Sequence, residues 1–262
     1  MAYSAFHNHT TYCDGKNTPE EMILEAINLG MPSIGFSGHV YTFFDESYCM
    51  SKEATRLYQE ELALLKKRYA DQINVLIGIE QDMYSTEPTN AYDYVIGAKH
   101  YLYKDGIYLD VDDCPEVITR DCQSHFGGDF YAYAEAYYQQ ASQIIEKTNC
   151  TFVAHFDLVS KFNEGNVLFD ENNPRYQNAA LMAVDTLCQQ GAVFEINTGA
   201  MIRGYRTTPY PAAFILDRIA HHGNSVILST DSHSKDTLQF GLKEAEEIAR
   251  RHGLSIIKEL SC

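Results

Sequence analysis

Tyr3-Ser4-Ala5-Phe6-His7-Asn8-His9 is a short β-forming run that ends in two histidines spaced two residues apart. Along a strand, residues i and i+2 face the same side, so these two imidazoles can grip one ion. Alone, the pattern is weak. It gains weight because it recurs along the chain. Ile34-Gly35-Phe36-Ser37-Gly38 leads to His39, Leu76-Ile77-Gly78-Ile79 to Glu80, and Val95-Ile96-Gly97-Ala98 to His100. Phe152-Val153-Ala154 leads to His155-Phe156-Asp157, a sixth run ends in Glu195-Ile196-Asn197, and Val226-Ile227-Leu228-Ser229 leads to Asp231-Ser232-His233. Each single residue also reads as a satisfied buried imidazole, a helix cap or an ion-pair partner. Seven such residues at the ends of seven runs do not, and the C-terminal ends of parallel barrel strands are where active sites sit.

The expected strands are 3–6, 33–37, 75–79, 94–97, 151–154, 193–196 and 226–229, alternating with helices. Thr18-Pro19-Glu20-Glu21 carries an N-cap, a proline at the first helical position and an acidic first turn, and Gly30 ends that helix. Further helices are expected over 51–69, 131–147, 178–190, 211–221 and 238–252. Residues 101–130, rich in Asp, Gly and Tyr, read as an elaborated loop over one end of the sheet. The alternation predicts βα units around a parallel sheet, and 262 residues suit one α/β barrel as well as two small domains.

The net charge of −16 argues against a nucleic-acid partner, because phosphate backbones require a basic surface. No basic segment followed by an apolar core follows Met1, and no apolar run approaches the length of a membrane span, so a cytoplasmic protein without a membrane partner is expected. The cysteines at 13, 49, 114, 122, 150, 188 and 262 form no C-x-x-C pair and read as reduced thiols. Nothing bears on oligomeric state.

Imidazole and carboxylate donors without thiolate suit Zn²⁺, Mn²⁺ or Fe²⁺. Six histidines with three or four carboxylates exceed the needs of one ion, so two or three divalent ions are expected, with Glu80 as the bridging carboxylate.

His7-Asn8-His9 with Asp14 downstream, Ser37-Gly38-His39, Asp231-Ser232-His233 and the intervening Glu80, His100 and His155 together resemble the polymerase and histidinol phosphatase (PHP) superfamily, over nearly the whole chain. The resemblance implies an α/β fold, a distorted (β/α)₇ barrel of the PHP type, in one domain spanning 1–262. It also implies a trinuclear site. Carried over by residue, His7, His9, Glu80 and Asp231 would hold one ion, Asp14, His39 and His233 a second, and Glu80, His100 and His155 a third. Asp14 stands where some members have histidine, a departure that bears on metal preference. Within the superfamily, residues 97–102, Asp112-Asp113, residues 125–129, and Glu195-Ile196-Asn197-Thr198 followed by Arg203 resemble the stand-alone histidinol-phosphatases. Ala98-Lys99-His100 departs from the Ser-Val-His that members often carry, and Lys99 is expected outside the site.

The activity implied is hydrolysis of L-histidinol phosphate, a small phosphorylated substrate, in histidine biosynthesis, by attack of a hydroxide bridging the ions. Glu80, Asp231, His233 and Asp157 are the expected catalytic residues, Asp157 and His233 being the candidates for the leaving-group acid. Arg203, and less strongly Arg206 and Lys161, are expected on the phosphate. Asp45, Glu46 and Asp129 are candidate partners for the substrate's amine and imidazole. His125, His221, His222 and His252 are expected to be structural or at the surface, and the tyrosines at 131, 133, 137 and 138 to pack. Three other readings stay open. One is the same chemistry on a nucleotide or sugar phosphate. Another is an amidohydrolase with Lys99 as a carboxylated bridge. The third is a non-catalytic metal-binding regulatory protein.

Overall fold

The computed structural model describes residues 2–260. The first helix begins where its cap predicts. Helix α1 (Pro19–Asn28) has a complete capping box, with Thr18 Oγ1 accepting from the Glu21 amide and the Glu21 carboxylate accepting from the Thr18 amide. It leads into β1 (Ser33–Phe36). Ser51 caps α2 (Lys52–Arg68), which returns the chain to β2 (Asn74–Asp82) and then β3 (Tyr94–Ala98). Strand β2 runs further than its sequence suggests, so Glu80 lies inside the strand and shares a face with Asp82.

Residues 101–130 are not an irregular loop. They form an antiparallel hairpin, β4 (Tyr101–Lys104) and β5 (Ile107–Asp110), followed by α3 (Pro115–Phe126). The hairpin turns on Asp105-Gly106, both at positive φ (51° and 85°), the backbone that an Asp-Gly two-residue loop adopts. The long helix expected over 131–147 is broken at Ser142-Gln143 into α4 (Phe130–Ala141) and α5 (Ile144–Thr148).

Next come β6 (Phe152–Val153), then α6 (Pro174–Gln189), which starts one turn early on an Asn173 cap and Pro174. The chain continues through β7 (Phe194–Asn197), the single turn α7 (Gly199–Ile202), α8 (Ala213–His222), β8 (Ser225–Ser229), α9 (Leu242–Arg251) and β9 (Ser255–Ile257).

The main sheet is parallel and seven-stranded, in the order β1-β2-β3-β6-β7-β8-β9. It curls into a half-barrel of mixed α/β class, as the PHP-type expectation requires. The membership of the seven differs from expectation. Strand β9 was not anticipated, and residues 3–6 form no regular strand. That segment divides its backbone bonds between two neighbours: the Gly35 amide donates to Ala5 O (2.8 Å), while the His9 amide donates to Ser232 O (2.8 Å). It therefore spans from β1 to the loop after β8 without building successive rungs on either.

Tyr94 holds this segment from inside the barrel. Its hydroxyl donates to the carbonyls of Phe6 and Phe36, and its ring lies where side chains on residues 35 and 78 would be. A Cβ on Gly78 would fall 2.3 Å from the ring, so glycine is required there for close approach.

The tyrosine-bearing helix packs as expected. Tyr133, Tyr137 and Tyr138 are buried, and Tyr138 hydrogen-bonds Tyr176 of α6 across the helix interface (2.9 Å). Cysteines 13, 49, 114, 122, 150 and 188 are free thiols, and Cys262 lies outside the described residues.

Candidate metal centre

The strands deliver their terminal residues to one point. Glu80 of β2 is buried, and five imidazoles converge on its carboxylate. His39 Nδ1 (2.9 Å), His7 Nε2 (3.3 Å) and His9 Nε2 (3.5 Å) face Oε2, while His155 Nε2 (3.1 Å) and His100 Nε2 (3.3 Å) face Oε1. Asp231 adds a second carboxylate, 3.2 Å from His9 Nε2 and 3.6 Å from His7 Nε2. Asp14 closes the outer edge, 3.0 Å from His233 Nε2 and 3.7 Å from His39 Nε2. All nine residues expected as ligands are thus brought together.

Their donor atoms fall into four overlapping groups: His9, Asp14, His39 and His233; His7, Glu80 and His155; His7, His9 and Asp231; and His39, Glu80 and His100. The three sets expected from the resemblance share only Glu80, whereas these groups overlap further. His7 stands with His155, and His9 with the Asp14 group.

Two carboxylates outside the expected ligand set, Glu195 from the sixth strand end and Asp82, which the sequence did not single out, orient these imidazoles. Glu195 Oε1 accepts from His7 Nδ1 (2.7 Å), and its Oε2 accepts from the His155 amide (3.0 Å) and from Asn197 Nδ2 (2.8 Å). Asp82 Oδ2 accepts from the His100 amide (3.0 Å) and lies 3.3 Å from His100 Nδ1. Asp82 was findable from the period of two, since it follows Glu80 by two residues. Engaging Nδ1 outward turns Nε2 inward to the cluster, the orientation typical of a metal-binding histidine. His155 and Asp231 sit at positive φ (21° and 47°), backbone that non-glycine residues seldom adopt.

Burial alone would push the Glu80 carboxyl up, but His39, His7 and His100 hold it well below the usual carboxylate range. Asp231 is likewise held low against burial, by Arg203 and His7. Burial, with His233 and His39 beside it, pushes His9 down to about 3, so its imidazole is neutral.

The donor set fits divalent ions. The Nε2 atoms of His7 and His9 and Oε2 of Glu80 are buried without a hydrogen-bond partner among the described residues. The neutral imidazole of His9 aims its Nε2 at the Glu80 and Asp231 oxygens, acceptor facing acceptor, an arrangement a cation reconciles.

The cluster opens into a cavity of about 410 Å³. Its lining includes the cations Arg203 and Lys161 together with Asp45, Tyr101, Asp110, Asp112 and Asp113. Arg203 reaches Asp231 Oδ2 (3.3 Å) and His233 Nδ1 (3.1 Å). Lys161 is tied to the Asp112 carboxylate and donates to Asp112 O (3.1 Å). Burial pushes the Asp110 carboxyl up to about 6.

Several expected residues lie elsewhere. Arg206 is spent on Ser160 O (2.9 Å) and Glu171 (2.8 Å), pinning one loop to another outside the cavity lining. Asp157 is buried behind the wall, where its Oδ2 accepts from the Ala212 amide (2.9 Å), so it is not placed to protonate a leaving group in the cavity. Asp129 caps α4 and pairs with Arg175, and Glu46 accepts from Tyr41. Neither lines the cavity, whereas Asp45 does. His222 and His252 pair with Asp185 and Asp217 near the surface, and His125 and His221 are likewise absent from the lining. Lys99 points away from the cluster, to Tyr101 O, Gln140 and Tyr84, which removes the carboxylated-lysine alternative.

The sequence model of the PHP domain matches residues 5–199. The chain belongs to the PHP domain family. A Deinococcus radiodurans protein named "Probable histidinol-phosphatase" is 27% identical over 264 residues, covering 94% of this chain and 92% of its own. A Listeria monocytogenes protein of solved structure superposes with a TM-score of 0.79 at 20% identity, over 92% of this chain and 99% of that one. The histidinol phosphate phosphatase of Lactococcus lactis, solved with zinc, L-histidinol and phosphate, superposes with a TM-score of 0.68 at 18% identity, over 98% and 95% of the two chains. These PHP proteins share the fold. No described helix is long and apolar enough to cross a membrane.

Proposed function

We propose that this chain is a metal-dependent phosphoric monoester hydrolase that converts L-histidinol phosphate to L-histidinol and phosphate. One observation carries the reading: the cavity that opens on the Glu80-centred cluster is lined by two cations, Arg203 and Lys161, and by the carboxylates Asp45, Asp110, Asp112 and Asp113. A phosphate monoester of an amino alcohol presents an anion and a cation, and such a lining offers groups to both. The name of the Deinococcus relative and the ligands of the Lactococcus enzyme support the same substrate.

His7, His9, Asp14, His39, Glu80, His100, His155, Asp231 and His233 would hold two or three ions, of zinc, manganese or iron. Bound there, such ions supply Lewis acidity toward phosphoryl oxygens and make water more acidic. The chain's own groups do the rest. Glu195 and Asp82 orient His7 and His100. Arg203, braced on Asp231 and His233, offers a planar cation to phosphate oxygens. The Asp45–Tyr101 hydrogen bond (2.8 Å) fixes two lining side chains that would meet the substrate's cationic end.

Phosphate release from L-histidinol phosphate, measured beside a panel of nucleotide and sugar phosphates with zinc or manganese added, tests the assignment. Preference for L-histidinol phosphate is the expected result. Activity confined to another ester would replace the substrate and leave the phosphatase standing.

A further inference from the structure

Lys99 is 1% exposed and directs its ammonium at three neutral acceptors: Tyr101 O (2.6 Å), Gln140 Oε1 (2.9 Å) and Tyr84 Oη (3.1 Å). Three donors meet three acceptors, so the buried head group is fully satisfied. The rings of Tyr84 and Tyr137 lie 5.0 and 5.3 Å from the nitrogen. Gln140 of α4 extends the junction. Its Oε1 also accepts from the Tyr103 amide (3.1 Å) and from Tyr84 Oη (2.6 Å), and its Nε2 donates to Tyr103 O (2.8 Å). Gln140 thus pairs with both backbone groups of Tyr103, as a neighbouring strand would.

The hairpin held this way has only two strands, and an isolated two-stranded hairpin is marginal in water. Yet it shapes the cavity. Strand β4 starts with Tyr101, directly after His100, and β5 ends with Asp110 and leads into Asp112 and Asp113, all of them lining residues. The Val111 amide closes the base of the hairpin on His100 O (2.9 Å).

We propose that Lys99 is a positioning residue: with Gln140 it clamps the β4–β5 hairpin onto α4 and so sets the carboxylate-bearing stretch of cavity wall that begins at Tyr101 and Asp110. That this stretch receives the cationic end of a phosphate monoester rests on the function proposed above.

Three variants test the clamp: Lys99→Met, Gln140→Leu and the double substitution. Amide hydrogen exchange is followed across the chain, and steady-state kinetics are measured with L-histidinol phosphate and with phenyl phosphate, which has no cation. Each single variant should speed exchange across residues 101–110 by about tenfold and leave β2 and β3 protected. KM for L-histidinol phosphate should rise about tenfold, with kcat within about twofold and KM for phenyl phosphate unchanged. The double variant should be no worse than the worse single one, because both act on one junction.

Unchanged hairpin exchange in Gln140→Leu and Lys99→Met overturns the clamp. An equal loss on both esters overturns its link to the carboxylate-bearing stretch. Should Lys99→Met fail to fold, Gln140→Leu carries the test alone. Should the wild type fail to hydrolyse L-histidinol phosphate, the functional reading falls while the exchange data still decide the clamp.

Discussion

His7 Nδ1 donates to Glu195 Oε1 over 2.7 Å, and both side chains are fully buried. The other oxygen of the same carboxylate accepts from the His155 amide, so one glutamate orients residues from two separate segments of the barrel. Glu195→Gln puts an amide nitrogen where one of these donors needs an acceptor. It should weaken metal affinity about 10- to 100-fold, as loss of a group that orients a metal-binding histidine does. Metal content after dialysis against a graded chelator series reads this directly, and retention equal to wild type would show that Glu195 does not orient the site.

Arg203 lies between the cluster and open cavity, with one side of its guanidinium on Asp231 and His233. Arg203→Met should raise KM for a phosphate monoester, and the inhibition constant for inorganic phosphate, about 10- to 100-fold. Metal content should be retained. A loss of kcat with unchanged phosphate inhibition would assign Arg203 to some role other than phosphate contact.

Asp110 gives a stability prediction with a defined sign. Burial lifts its carboxyl from 3.8 to about 6, so ionising it costs more in the folded chain than in the unfolded one. Below the unfolded value both states are protonated and the group costs nothing. As pH rises from about 4 to about 6 the unfolded chain ionises first, and this group's contribution becomes unfavourable and then levels off. The stability of Asp110→Asn relative to wild type should therefore rise across that window and stay flat above it. Denaturant unfolding of both proteins from pH 4 to 8 checks the trend, and a flat difference throughout would contradict it.

Tyr94 is buried and its hydroxyl serves the carbonyls of Phe6 and Phe36, one in the segment that carries His7 and one in β1. Tyr94→Phe should lower stability by about 1–3 kcal/mol, the usual cost of leaving buried acceptors unserved. Gly78→Ala should cost more, because its methyl group meets the ring itself. Thermal melts rank the two, and the reverse order would show that the hydroxyl, not the close approach, governs this part of the barrel.

The metal-type residues were legible because each follows a short apolar run, a pattern that depends only on local sequence. The segment with His7 and His9 reads as a strand for the same reason. Its failure to form one is a tertiary effect, since its two bonding partners lie about 30 and more than 220 residues away in the chain. Strand β9 is three residues long, too short for any periodicity to register. The hairpin in residues 101–110 was missed although Asp105-Gly106 marks it, because the flanking tyrosines and aspartates hide its alternation.

Among side chains, sequence gives type and not direction. Arg206 and Arg203 are three residues apart, yet one is spent on Glu171 and the other faces the cavity. Asp157 follows His155 by two, but the strand has ended at Val153 and the chain turns, so the same-face rule no longer holds. Asp82 was overlooked, and Glu195 was read as a strand-end residue without its orienting role, because their partners are imidazoles supplied by other segments.

On the function proposed above, the Glu80-centred cluster holds divalent ions required for phosphate ester hydrolysis. The most direct test is phosphate release from L-histidinol phosphate by chelator-stripped protein before and after reloading with zinc, manganese or iron, in wild type and in His9→Ala and Asp231→Ala. Turnover should vanish on stripping, return on reloading the wild type, and stay absent in both variants together with most of their metal. Full turnover by the stripped protein, or by either variant, would contradict the account.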